Sequence, residues 1–171
     1  MELILESATH GRHVVLIDDW LWPFIKHWMW GLNKKKRAIY CERNAWIDGK
    51  QVHIQLSRFA LGIMDSKVSV DHINHNTLDN RLCNLRTCTV SQNSMNKQKS
   101  AHRYLPFKGI YVDRRKKTPK YRVGIGLNYK RMKLSSFPFT GCGLLCAALA
   151  YDIAAIELHK DFACLNFPLP L

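Results

Sequence analysis

Val70-Asp71-His72-Ile73-Asn74-His75-Asn76, followed by Leu78-Asp79-Asn80-Arg81, Asn84-Leu85-Arg86 and Ser91-Gln92-Asn93, is the stretch that decides how this 171-residue chain is read. It sets a carboxylate beside an imidazole and follows them with asparagines at 84 and 93. Phosphodiester hydrolysis needs an activated water, a Lewis acid for the developing charge and help for the departing oxygen. Asp71 offers a carboxylate and Asn93 an amide oxygen, both hard donors. Such donors suit Mg²⁺, which keeps several waters and is satisfied by one or two protein ligands. His72, with an unperturbed pKa of about 6.5, can take a proton from water near neutral pH. Neighbours on an extended segment face opposite sides, so Asp71 can address a metal while His72 addresses the far side of a phosphate.

The spacing and the filler residues of this run resemble the HNH endonuclease family, in the variant whose last letter is Asn. The resemblance implies a ββα-metal core: two antiparallel strands, a polar loop at 78–81 between them, and a helix over 89–97 that presents Asn93. It implies His72 as general base, Asp71 and Asn93 as ligands of one Mg²⁺ or Mn²⁺, and Asn84 as the brace of the histidine's loop. His75 is expected close to the metal without binding it. Arg81 and Arg86 are candidates for DNA phosphates, and either could instead pair with Asp79.

With 26 Lys+Arg against 13 Asp+Glu, the formal charge of +13 points to a polyanion as partner. No apolar run is expected to reach the length of a spanning helix. The N-terminus lacks the pattern of a secretory signal, so the expected setting is intracellular, in the cytoplasm or nucleoid of a bacterial or phage-infected host, with no membrane partner. Cys41, Cys83, Cys88, Cys142, Cys146 and Cys164 form no C-x-x-C. Reduced thiols are the expectation, and zinc is disfavoured.

Around the motif, residues 1–66 form an α+β region. His13–Ile17 and Gln51–Leu56 alternate at the strand period, and Asp48-Gly49 is a hairpin turn. Trp20, Trp22, Trp28 and Trp30 are expected in the core. The region is also an expected place of DNA contact, and the Lys34-Lys35-Lys36-Arg37 run reads as a nuclear import signal or, more simply, as a solvated loop able to touch phosphate. Residues 67–98 hold the motif. Residues 99–106 read as a basic linker ended by Pro106, and Lys97, Lys99 and Arg103 are its candidate DNA contacts.

Beyond the linker, strand patterns at Phe107–Arg114, Tyr121–Leu127 and Lys130–Phe137 precede an Ala-rich amphipathic helix over 144–159, with Leu145, Ala148, Ala155 and Ile156 among its apolar positions. Gly109-Ile110-Tyr111, Leu134-Ser135-Ser136-Phe137, the helix run Ala147–Ala155 and Leu165-Asn166-Phe167-Pro168 resemble the APETALA/ethylene-response-factor (ERF) DNA-binding domain over 107–168. That resemblance implies a three-stranded antiparallel sheet plus helix, the sheet entering the major groove of double-stranded DNA. Its candidate contacts are Arg114, Arg115, Lys117, Tyr121, Arg122, Lys130, Arg131 and Lys133. Gly124 and Gly126 stand where the family carries larger polar side chains.

The expected fold is therefore α+β and modular: a region at 1–66, a nuclease core at 67–98, a linker at 99–106 and an ERF-like domain at 107–171. The expected activity is metal-dependent, sequence-selective DNA cleavage of homing type. A monomer is favoured over a dimer, and one site per chain should nick one strand. Two alternatives remain: a DNA-binding regulator that has lost cleavage, and an HNH nuclease serving restriction or packaging.

Overall fold

The computed structural model describes residues 1–35, 38–99 and 104–168. Arg103 and the end of the Lys34–Arg37 run lie outside the described residues. The chain divides into two compact units, Met1–Thr89 and Val90–Leu171, so the stretch 67–98 contributes to both.

In the first unit, β1 (Glu2–Ser7) and β2 (Gly11–Leu16) form an antiparallel hairpin. A short 3-10 turn then leads into α1 (Trp22–Ile25), which has Pro in its first turn. An antiparallel sheet follows in the order β3 (Gly31–Lys35), β4 (Ala38–Ile47), β5 (Lys50–Gln55). The β4–β5 turn puts Asp48 at φ 50° and Gly49 at φ 72°, the two left-handed residues that a two-residue hairpin with the strands' own twist requires. Next come α2 (Leu56–Ala60) and the antiparallel pair β6 (Ser69–His72) and β7 (Leu85–Cys88).

Val15, Ile17, Leu21, Ile25 and Leu56 are buried to 1% exposure or less at the centre of this unit. The tryptophans are not, which corrects the expectation. Trp20 and Trp28 are exposed, and Trp22 and Trp30 are half-buried around the aliphatic cluster. The reason is size: the compact Val, Ile and Leu side chains fill the interior, while the broad indoles cover its rim. There Trp28 lies edge-on to Phe59 at 5.2 Å and under the Arg43 guanidinium at 4.1 Å.

The second unit opens with α3 (Val90–Asn96). An antiparallel sheet follows, with β8 (Ile110–Asp113), β9 (Lys120–Leu127) and β10 (Lys130–Pro138) ordered β10-β9-β8. Asn128 and Tyr129, at φ 48° and 62°, turn β9 into β10. α4 (Gly141–His159) is capped by Thr140, whose hydroxyl accepts the Gly143 N–H at 3.0 Å.

Strand alternation puts Tyr121, Val123 and Ile125 on the face that packs against Ala147, Ala148, Tyr151 and Ala155 of α4. Tyr121, expected among the DNA contacts, is consequently a core residue, buried to 7% exposure and stacked near Phe139 at 4.8 Å. The amphipathic reading of the helix is also corrected. Its buried side carries Ala147, Ala148 and Ala155 beside Tyr151, while Leu145, Leu149, Ile153 and Ile156 are exposed. Small side chains let the helix approach the sheet closely. Gly109, at φ 79°, would put a Cβ 2.0 Å from the Tyr151 ring, so no other residue fits there.

A further correction concerns length. Gly141–Phe162 is long and apolar enough to cross a membrane by length and composition alone. One side of it nevertheless forms the core of the second unit.

Asp152 ties down the end of the described chain. Its carboxylate accepts from the Asn166 backbone at 2.8 Å, the Asn166 amide at 3.0 Å and the Phe167 backbone at 2.9 Å.

Candidate active site

Asp71 and His72 end β6, and the cross-strand register places Asp71 opposite Arg86 and His72 opposite Leu85. The two side chains therefore leave the strand on opposite faces. Both are buried, at 6% and 7% exposure. On its face, Asp71 Oδ2 accepts from Arg86 Nε at 2.9 Å and Nη2 at 2.7 Å. Arg86, a candidate for DNA phosphate, is thus turned inward onto the carboxylate, where its guanidinium fixes the aspartate's rotamer.

His72 opens a loop that closes on itself before β7. The His75 N–H donates to the His72 carbonyl at 3.0 Å, with His75 in the left-handed region at φ 65°. Asn84 spans the loop. Its Oδ1 accepts the Asn74 N–H at 2.9 Å, its Nδ2 donates to the Asp79 carbonyl at 2.8 Å, and its own carbonyl accepts the Ile73 N–H at 2.9 Å. Asp79, 1% exposed, takes both arms of Arg81 at 2.8 Å and the Asn74 amide at 2.9 Å. The Arg81 guanidinium beside it holds the Asp79 carboxyl below the usual range.

Contacts with the rest of the first unit pin the loop. The Leu16 N–H donates to the Leu78 carbonyl at 2.9 Å, and the Asn80 N–H donates to the Leu16 carbonyl at 2.8 Å. The Asp18 carboxylate accepts the Leu82 N–H at 2.7 Å, and the Thr77 hydroxyl donates to the Ile39 carbonyl at 2.5 Å. A loop clamped this way presents the histidine on a fixed backbone.

Two residues at this site carry no role that the sequence alone assigns. Asn80 is 1% exposed, and its Oδ1 lies 3.5 Å from His72 Nε2. Among the described residues its amide nitrogen is buried without a hydrogen-bond partner, an arrangement that native structures keep rare. Tyr40 meets the His72 ring edge-on, with centroids 6.4 Å apart. Burial pushes the His72 imidazole below its ordinary pKa, opposed by the Asn80 contact and by the Asp71 and Asp79 carboxylates. Burial thus favours the neutral ring, the form able to accept a proton.

In this unit Asp71 is the residue that would hold a hard cation. Asp71 brings a buried carboxylate oriented by Arg86, and a cation of the Mg²⁺ type asks little more of the protein. Among the described residues there is no cluster of three or more His, Cys, Asp or Glu side chains that could enclose a metal. Asn93, the other expected ligand, stands on α3 in the second unit.

The remaining candidates divide into engaged and open side chains. Arg115 and Arg122 both pair with the buried Asp113 carboxylate, at 2.8 and 3.1 Å. These guanidiniums draw the Asp113 carboxyl far below its ordinary pKa, Arg115 contributing most. Arg131 and Lys133 share a face of the sheet with Gly126 and Gly124, their register partners. A Cβ at Gly124 would come within 2.8 Å of Arg131 Nε, so the glycine gives Arg131 room to lie across the sheet. Its guanidinium sits 4.5 Å from the centre of the Tyr111 ring. Arg114, Lys117, Lys130 and Lys97 are exposed, and Lys99 is half-exposed.

Comparison with known proteins places the site in a group. Residues 50–95 match the HNH endonuclease family. Over 150 residues the chain is 31% identical to an uncharacterised HNH endonuclease of Acanthamoeba polyphaga mimivirus, an alignment that covers 85% of this chain and 70% of the viral protein. No solved structure matches.

Proposed function

Since this chain belongs to the HNH endonucleases and is thereby a hydrolase that cuts DNA, we propose that it is a metal-dependent, sequence-selective enzyme of homing type. It nicks one strand of double-stranded DNA and leaves a 5′ phosphate and a 3′ hydroxyl. The observation that carries the reading is the pair Asp71 and His72: adjacent, buried, on opposite faces of one strand end, the carboxylate held by Arg86 and the imidazole beside Asn80.

In this reading His72, kept neutral by burial, takes a proton from the attacking water. Asn84 fixes the loop that carries it. Asp71, steered by Arg86, is the carboxylate that would hold the cation. When bound there, Mg²⁺ or Mn²⁺ would supply charge stabilisation for the phosphate and the leaving oxygen. The role of Asn93 as second ligand rests on the motif. Sequence selectivity rests on the ERF-like pattern of residues 107–168 and on the cations Arg114, Lys117, Lys130, Arg131 and Lys133. One motif per chain supports nicking by a monomer.

The test is the chemistry of the ends. Supercoiled plasmid carrying the gene's own genomic neighbourhood should become open circles that DNA ligase reseals without prior kinase treatment. Linear product as the first species would contradict nicking by a monomer. Nicks that ligase seals only after end repair would contradict the assigned ends.

A further inference from the structure

Tyr40 is the neighbour of the His72 ring that no motif predicts, and its own surroundings are built. The β3–β4 register pairs Asn33 with Tyr40 and Gly31 with Glu42, so Asn33, Lys35, Tyr40 and Glu42 share one face of the sheet. Glu42 is 6% exposed on that face. A buried carboxylate is costly unless paired, and this one accepts from the Asn33 amide and from Lys35 Nζ, the latter at 2.5 Å. Lys35 stands opposite Ala38, so to reach Glu42 its side chain must run back past Tyr40. Its ammonium lies 5.9 Å from the centre of the Tyr40 ring. The same ring meets His72 edge-on, at an interplanar angle of 60°, a geometry aromatic pairs favour. The backbone is tied here too, since Thr77 of the histidine's loop donates to the carbonyl of Ile39, next to Tyr40.

The Asn80 contact, at 3.5 Å, lies at the outer limit of a hydrogen bond and is poorly suited to fixing the tilt of a ring. Edge-on packing by Tyr40 bears on the plane of the ring itself. We propose that Tyr40 is a positioning residue for His72: its ring, seated by the Lys35–Glu42 ion pair, sets the tilt of the imidazole toward the attacking water. This rests on the nuclease reading given above. The sheet β3–β4–β5 is then part of the catalytic apparatus, although none of its residues touches the reacting atoms.

The ring, and not the hydroxyl, is what the geometry uses. Tyr40→Leu should lower kcat for plasmid nicking in Mg²⁺ by about 10- to 100-fold, the scale on which small misplacement of a catalytic group acts. KM for DNA and the melting temperature should stay unchanged, and Tyr40→Phe should restore wild-type kcat. Lys35→Met should lower kcat in the same direction and by less. A Tyr40→Leu enzyme with wild-type kcat would overturn the proposal, and so would a Tyr40→Phe enzyme as slow as the leucine variant. A Lys35→Met enzyme altered in KM alone would make Lys35 a phosphate contact and remove it from the seating of the ring.

A readout independent of cleavage separates this inference from the reading beneath it. The His72 imidazole carbon-bound protons should feel the Tyr40 ring current, and their resonances should move in Tyr40→Leu but not in Tyr40→Phe. Wild-type protein that cuts no DNA under any metal would sink the nuclease reading, and unmoved resonances would then sink the contact on their own.

Discussion

The two units bury polar groups for different purposes. In the first, Asp71, His72, Asp79, Asn80 and Asn84 are all buried within one short loop and its flanking strands. Their bonds run mainly to one another and to the loop's own backbone. In the second, the buried Asp113, Asp152 and His159 lie apart, each closing a piece of structure. Asp113 gathers two arginines, Asp152 holds the Asn166–Phe167 segment, and His159 meets the Gly126 carbonyl at 2.7 Å. Scattered polar burial closes a fold. Concentrated polar burial is expensive to keep in one place, and in this unit it surrounds the pair proposed to carry the chemistry.

The largest effect expected from this contrast is on His72. His72→Ala should reduce nicking by about 100-fold or more, the scale of a lost general base, while DNA affinity in a mobility-shift titration stays close to wild type. Affinity falling in step with cleavage would show that His72 holds DNA and performs no proton transfer.

Asp152 should behave in the opposite way, as a purely structural group. Hydrogen bonds to a charged acceptor are worth about 1.5–3 kcal/mol each, and Asp152 accepts three from Asn166 and Phe167. Asp152→Ala should destabilise the second unit by about 3 kcal/mol in urea unfolding. An unchanged midpoint would remove the contrast between the units.

Neutralising Arg114 and Arg131 probes the contrast from the binding side. For every phosphate that a variant no longer neutralises, the slope of log K against log salt should fall by about 0.9. A slope unaltered in the double variant would take both residues off the DNA surface.

The smallest effect is one of pH. Burial is the main cause holding the His159 imidazole below its ordinary pKa, and the Gly126 carbonyl bond only partly opposes it. The unfolded imidazole titrates near 6.5, so the neutral form's contribution to stability is complete above that pH. It is lost as pH falls from there toward the folded value. His159→Gln should flatten this acid-side loss in thermal melts, and a variant with the wild-type pH dependence would assign the loss to another group.

Legibility in the sequence follows the range of the interaction. Lys120–Leu127 and Lys50–Gln55 alternate at the strand period, and Asp48-Gly49 and Asn128-Tyr129 carry turn chemistry, so these elements could be read locally. The faces of α4 could not. Hydropathy favours Leu145 and Ile156 as core, whereas the face that meets the sheet carries Ala147, Ala148 and Ala155 around Tyr151, against which Gly109 packs closely. Asp71, His72 and Asn84 lie in one continuous run whose order carries the chemistry. Tyr40 reaches His72 only through the folding of β4 against the loop, and Asn80 looked like any other polar loop residue until its burial placed it beside the imidazole. The burial of Tyr121 could not be read locally, because one strand alternates between an open face and a core face, and the pattern does not say which is which.

Asp71 and His72 are proposed to carry metal-dependent hydrolysis of DNA from the first unit's loop. The decisive experiment incubates the protein with supercoiled plasmid in Mg²⁺, in Mn²⁺ and in EDTA, beside Asp71→Ala. Open circles should form only with the metal and should vanish in the variant while binding persists. Cleavage that survives EDTA, or that Asp71→Ala carries out at the wild-type rate, would refute these roles.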